Sequence, residues 1–218
     1  MTERTTHAAR SPSTPPRVRD ADATRSRVLE AAEILFARKG YDGTRLREVA
    51  EDAHVTVPLL CHHFGDKDSL YASVVERGLE RFASVGWDVL RRGHTVAEQL
   101  AGFVTGLIDV TAHYPNVTAI LHREMAEGGV RARPLAERLI QPLKLAATET
   151  LRAAQARGEI RESIDVDIVV LHIAGAAMYP SLASPLVQIV WGTDPNSAAF
   201  VERRKRDLIA LLLPLIVR

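Results

Sequence analysis

Cysteine is nearly absent: Cys61 is the one thiol in 218 residues. That excludes an intrachain disulfide framework and a multi-cysteine zinc or iron–sulfur centre. Aromatic residues are scarce, at 5%. An excess of one charge sign is missing too, since 28 basic and 27 acidic side chains leave a formal net charge of +1. Nucleic-acid binding by bulk charge is thereby excluded, but a local site is not. No strand-period alternation persists along the chain. G-x-S-x-G, P-loop, G-x-G-x-x-G, H-E-x-x-H and C-x-x-C patterns are all missing, which removes the usual signatures of hydrolytic, nucleotide-dependent and zinc chemistry. No enzyme activity, metal site or cofactor is expected. The opening residues MTERTTHAARSPSTPP hold no apolar run, so no secretory signal is visible and a cytoplasmic location is the default.

What is present is globular. Apolar residues make up 46% and charged residues 25%, enough for a core without staples. Residues 1–21, rich in Pro, Ser, Thr and Arg, read as a disordered basic tail, or as an arginine arm for a DNA minor groove. Beyond it the chain reads as about nine helices and no sheet. In the first, Thr24 to Lys39, Val28, Ala32, Leu35 and Phe36 share one face. Thr44 and Thr56 are placed to cap two short helices, the second with Leu60 and Phe64 inward. Asp66 can cap a long fourth helix, Lys67 to Arg92. Thr95 and Glu98 form a capping box. Helical stretches follow at Pro115–Glu127 and Pro134–Arg157, then from Asp165 and from Asp194-Pro195.

The run from Ile168 to Thr193 lacks Asp, Glu, Lys and Arg. It could match a bilayer in length, but His172, Pro180, Pro185 and Gln188 are costly in lipid. It reads as a helix buried between neighbours or in a dimer interface. The small residues Ala174-Gly175-Ala176-Ala177 would let another helix come close.

Three short helices with a tight turn between the second and third make a helix-turn-helix pattern. The stretch from Thr24 to Tyr71 resembles the DNA-binding domain of the TetR (tetracycline repressor) family. The resemblance rests on A-A-x-x-L-F at 31–36, K-G-Y at 39–41, T-x-L-R-x-V-A at 44–50 and H-H-F-G-D-K-D-S-L at 62–70. It implies an all-α homodimer, with a helix-turn-helix domain over 22–68 and a ligand-binding and dimerisation domain over 69–218. It further implies repression of a pseudopalindromic operator, relieved by a small-molecule effector.

The candidate DNA-binding residues are Thr44, Arg45, Thr56, Val57, Pro58, Leu59, Cys61, His62, His63 and Lys67. Helix N-termini at Thr44 and Thr56 suit phosphate. Lys67 matches a phosphate-contacting position of the family. Three positions depart from the family pattern: His54 stands at the usual glycine of the turn, Leu59 at a usual Thr, and Cys61 at a usual Tyr. The reading helix has no Lys, Arg, Asn or Gln for the common bidentate base contacts. Charges between Thr24 and Lys67 cancel. An unusual operator preference or weaker binding is expected, with Val57 or Leu59 against thymine methyls.

In the second domain Phe82, Phe103, Leu107, His122, Met125, Met178 and Tyr179 are candidate liners of an apolar effector pocket, suited to a lipophilic or aromatic ligand. Arg123 and Glu124 read as solvent-facing or locally paired, and Arg203-Arg204-Lys205-Arg206 as a solvated surface. The last two helices resemble the family's dimerisation bundle. Helix four, containing Gly78 and Gly86, joins the domains and is expected to move when an effector binds. Two other readings stay open: an interaction protein of this fold with weakened or lost DNA readout, and a thiol-sensing regulator acting through Cys61.

Overall fold

The computed structural model describes residues 16–218. Residues 1–15 of the expected tail lie outside the described residues. The rest of that stretch is helical, because α1 (Pro16–Gly43) starts at Pro16 and not near Thr24. A proline in the first turn forfeits no helical hydrogen bond, since those N–H groups have no intrahelical acceptor.

The described residues form eleven helices. After α1 come α2 (Leu46–Asp52), α3 (Val57–Phe64), α4 (Lys67–Arg92), α5 (Val96–His113) and α6 (Pro115–Ala126). They continue with α7 (Arg133–Leu139), α8 (Gln141–Ala156), α9 (Val166–Leu182), α10 (Ser184–Trp191) and α11 (Ala198–Ile216). Among the described residues the β-type pairing is an isolated bridge between Ile160 and Val217. The excess over nine arises because two expected helices each divide. One breaks at Ile140, ahead of Pro142, and the other at Ala183, ahead of Pro185. Proline has no N–H to donate and its ring crowds the carbonyl four residues back, so the chain restarts with proline in a new first turn. α9 and α10 meet at 74°. No single helix among the described residues is long and apolar enough to cross a membrane.

Several ends follow their capping residues. Thr95 Oγ1 accepts the Glu98 N–H at 3.1 Å while Glu98 Oε2 accepts the Thr95 N–H at 3.0 Å. Asp165 Oδ1 accepts the Asp167 N–H at 2.9 Å. Asp194 differs: it closes a turn by accepting the Asn196 N–H at 3.0 Å, and α11 starts only at Ala198.

α4 runs from the helix-turn-helix into the second domain, where it packs against α5, α6, α7 and α8. Its helix is unbroken through Gly78 and Gly86. A Cβ at Gly78 would lie 2.6 Å from Val117 Cγ1, and one at Gly86 2.5 Å from Leu143 Cδ2. These glycines therefore admit α6 and α8 to close contact. One apolar core runs from Val28 in α1 to Ile216 in α11. Basic residues of α11 join that packing, contrary to the expected solvated surface. Arg204 is half-buried and donates to the Ala177 carbonyl and, at 3.3 Å, to Ser181 Oγ. Lys205 pairs with Asp109 at 2.5 Å and Glu202 at 2.6 Å. The reason is geometric: consecutive residues fan out by about 100° each, so a four-residue run must turn part of itself inward.

Candidate nucleic-acid interface

The turn between α2 and α3 is built by short backbone bonds. His54 N–H donates to the Glu51 carbonyl at 3.1 Å, and Val55 N–H to the Ala50 carbonyl at 2.9 Å. Closing this turn puts His54 at φ 55°, the left-handed region favoured by glycine. A side chain there costs roughly 1 kcal/mol, less for His than for most residues. Leu60 and Phe64 bury the inner face of α3. Gly65, at φ 81°, ends the helix, and Asp66 Oδ1 caps α4 by accepting the Ser69 N–H at 2.8 Å. Those N–H and hydroxyl bonds from Ser69 hold the Asp66 carboxyl below its ordinary pKa.

This frame turns the first turn of α3 outward. Val57 is 36% exposed, Leu59 40%, and Pro58 is exposed between them. Thr56 is the N-cap: its Oγ1 accepts the Leu59 N–H at 3.4 Å, leaving its own O–H to donate. His62 is exposed. His63 is half-buried, and its carbonyl accepts from Arg25 at 3.4 Å. Cys61 does not face outward as expected; it is half-buried and packs against the core. Position 61 lies one residue from Leu60 on the buried stripe, which pulls it partly inward.

Thr44 departs further from expectation. It is buried, its hydroxyl donates to the Gly40 carbonyl at 2.8 Å, and the N-cap of α2 is Arg45. Glu48 Oε2 accepts the Arg45 N–H at 3.2 Å. The guanidinium of Arg45 is exposed and makes no ion pair among the described residues. Lys67 Nζ lies 4.4 Å from the centre of the Tyr41 ring and donates to the Asp42 carbonyl at 3.4 Å. An ammonium has three donors, so two remain.

The expected effector liners do not converge as a set. Phe82 and Leu107 are buried, with Phe103 and Met178 packed against the same core. His122 is exposed, Met125 is 63% exposed and Tyr179 58%. These three lie on the outer faces of α6 and α9 and line no common interior with the others.

Sequence reasoning missed the seam between the domains. Glu124, read as solvent-facing or locally paired, is 1% exposed. Its Oε2 accepts the Tyr71 O–H at 3.1 Å, and its Oε1 accepts the N–H groups of Arg131 at 2.7 Å and Ala132 at 3.1 Å. Burial, then the charge of Glu124, pushes ionisation of Tyr71 far above its ordinary range. Arg123 donates to the Phe36 carbonyl at 3.1 Å and the Ala37 carbonyl at 3.4 Å. Those carbonyls belong to the end of α1 just before its kink at Gly40, where a helix lacks donors and welcomes a cation. Gly40 itself sits at φ 74° and ψ 179°, a backbone that side chains rarely adopt, which explains the glycine of the K-G-Y motif. Tyr41 and Tyr71 pack edge to face at 5.1 Å, and Arg131 lies 4.0 Å over Tyr41. A signal was available: Val117, Ile120, Leu121 and Glu124 follow the helical stripe i, i+3, i+4, i+7. That spacing puts the carboxylate on the buried side of α6.

A helix-turn-helix with an exposed reading helix, carried on a second all-helical domain, defines a DNA-binding transcriptional regulator. Residues 28–74 match the family of bacterial regulatory proteins called tetR, and residues 90–187 match a tetracyclin repressor-like C-terminal domain. The HTH-type transcriptional repressor SCO4008 of Streptomyces coelicolor is 32% identical over 161 residues, covering 72% of this chain and 79% of the relative. In fold, the chain is similar to the ketosteroid transcriptional regulator KstR2 of Mycobacterium tuberculosis. That match has a TM-score of 0.70 and 20% identity, over 89% of this chain and 95% of the other. It is also similar to the transcriptional regulator FadR of Bacillus subtilis, solved in complex with stearoyl-CoA. There the TM-score is 0.67 and the identity 17%, over 85% of this chain and 98% of the other. The chain belongs to the tetR family, a family of regulators and not of enzymes.

Proposed function

We propose that the protein is a cytoplasmic, homodimeric repressor of a pseudopalindromic operator, released by a small lipophilic or aromatic effector. The carrying observation is the outward first turn of α3 on a rigidly capped helix-turn-helix. Val57, Pro58, Leu59 and His62 face the bases, while Arg45, Thr56 and Lys67 hold phosphates. Dimerisation draws on α9, α10 and α11, which leave Leu171, Ile189, Val190, Trp191, Leu211 and Leu215 exposed. Exposed apolar side chains gathered on these three helices suit an interface, and Gly175 on α9 has open space above its Cα. Two-fold symmetry then sets two recognition helices about 34 Å apart, one turn of DNA.

An apolar effector enters the interior around Phe82, Phe103, Leu107 and Met178, and His122, Met125 and Tyr179 leave the proposed liner set. The effector binds best when α4 shifts against α6. Arg123 carries that shift to α1, and so to the reading helix. The relative named as a repressor and the neighbour solved with an acyl-CoA support this reading.

The test is selection of bound fragments from the source genome at low and moderate salt, with the oligomeric state measured beside it. A two-fold symmetric sequence surviving moderate salt, bound by a dimer that Ile189→Glu disrupts, is the expected result. Retention only at low salt and without sequence preference overturns it. That outcome would favour the second reading, an interaction protein without DNA readout, for which the lack of bidentate base-reading side chains on α3 speaks.

A further inference from the structure

We infer that the reading helix selects T·A base pairs by enclosing thymine C5-methyl groups with Val57 and Leu59, so that each operator half-site carries thymines where other readers place a hydrogen-bonded purine. The inference rests on the proposed DNA-binding role and adds what the DNA must offer. In a helix-turn-helix the N-terminal residues of the second helix meet the base edges. Here those residues are Val57, Pro58 and Leu59, and none of their side chains can donate or accept a hydrogen bond. The backbone adds little. Pro58 has no N–H, and the Leu59 N–H is taken by Thr56 Oγ1 at 3.4 Å.

Of the four bases, only thymine presents a methyl group in the major groove. Placing Val57 or Leu59 against a purine edge or cytosine N4 would strip those polar groups of water without replacing the lost bonds. The exposed faces of Val57 and Leu59, at 36% and 40%, supply surface to cover a methyl. His62, one turn further along and exposed, and the free O–H of Thr56 at the helix start flank this apolar turn with hydrogen-bonding groups. Cys61, with its thiol half-buried against the core, contributes no wider reading surface. Selectivity therefore arises from methyl burial and from rejection of polar edges.

The experiment uses the full chain and its selected operator, with thymines of one half-site replaced singly by deoxyuracil. This removes the methyl and leaves base pairing unchanged. Burying one methyl-sized group is worth about a fourfold change in affinity. About that loss is expected at each contacted position, with no loss at thymines outside the recognition site. Replacing the same T·A pair with 5-methylcytosine·guanine, which restores a methyl at the same place, should bind more tightly than unmethylated C·G. The variants Val57→Ala and Leu59→Ala change surface residues and leave the fold intact, so each should abolish uracil sensitivity at its own thymine. A specific operator whose affinity ignores uracil throughout the half-site overturns this inference and leaves the DNA-binding role standing. Absence of any specific operator overturns both.

Discussion

At the reading end of the first domain, exposed Val57, Pro58 and Leu59 are apolar, whereas at the seam with the second domain the acidic Glu124 is buried and the basic Arg123 half-buried. Each region inverts the usual placement of polarity. The physical consequences differ. A buried carboxylate is tolerated only if its lone pairs are occupied, and Glu124 has three donors on two oxygens. Such bonds are directional, so they set the angle between α6 and α4 in this conformation, and a shift of α4 against α6 has to break or rearrange them. An exposed apolar side chain costs the free protein little and shows its value only when a partner covers it. The seam therefore expresses itself in stability and the reading face in affinity.

The sharpest way to break this contrast is Glu124→Ala. It strands the Tyr71 hydroxyl and two N–H groups in the interior, with about 1–3 kcal/mol lost for each unsatisfied group. A loss of roughly 3 kcal/mol or more is expected in a denaturant titration. Glu124→Gln, which can still accept from both N–H groups, should lose clearly less. Next comes Arg123→Met, which keeps the aliphatic stem but removes the bonds to Phe36 and Ala37. About 1–2 kcal/mol of stability should go, and effector-driven release of DNA should weaken with it in fluorescence anisotropy. His54→Gly relieves the positive φ and should raise the unfolding free energy in a denaturant titration by up to about 1 kcal/mol, offset in part by the entropy of an added glycine. Leu59→Ala sits at the other pole: stability within about 0.5 kcal/mol of the parent, with the loss confined to operator affinity. If Leu59→Ala destabilised the fold as much as Glu124→Ala, the contrast between the two regions would collapse.

The smallest effect is a pH dependence. Asp66 has a lowered pKa in the folded state because it accepts bonds from Ser69. Its stabilising contribution is present above the unfolded-state pKa and fades as pH falls through the lower folded value. Acid unfolding of Asp66→Asn should therefore differ from the parent less at low pH than at neutral pH. Midpoints measured at both pH values check this.

Much of the fold could be read from the residues because local rules were obeyed there. The stripe of α1, the caps at Asp66, Thr95 and Asp165, and the inward pair Leu60 and Phe64 all follow from spacing and side-chain chemistry. His54 announced its left-handed backbone by occupying a turn position where other family members place glycine. The failures share a cause: they depend on contacts between residues far apart in sequence. Thr44 has the right chemistry for a cap, but its buried hydroxyl donates to the carbonyl of Gly40 and the cap position falls to Arg45. Arg123 and Glu124 looked like an ordinary surface pair until α1 and the α6–α7 turn supplied their partners. Of the expected liners, His122, Met125 and Tyr179 failed because a hydrophobic or aromatic residue type does not specify which helix face it occupies.

The unbroken course of α4 has a mechanical consequence. It comprises 26 residues, which at about 1.5 Å per residue makes a rod roughly 39 Å long. Gly78 and Gly86 are filled from outside by Val117 and Leu143, so the rod meets neighbours at the two positions where glycine lowers its stiffness. A tilt of about 5° at its far end sweeps the near end through roughly 3.4 Å, the rise of one base pair. In the proposed mechanism, a slight shift at the effector end of this lever is enough to put the two reading heads one base pair out of register.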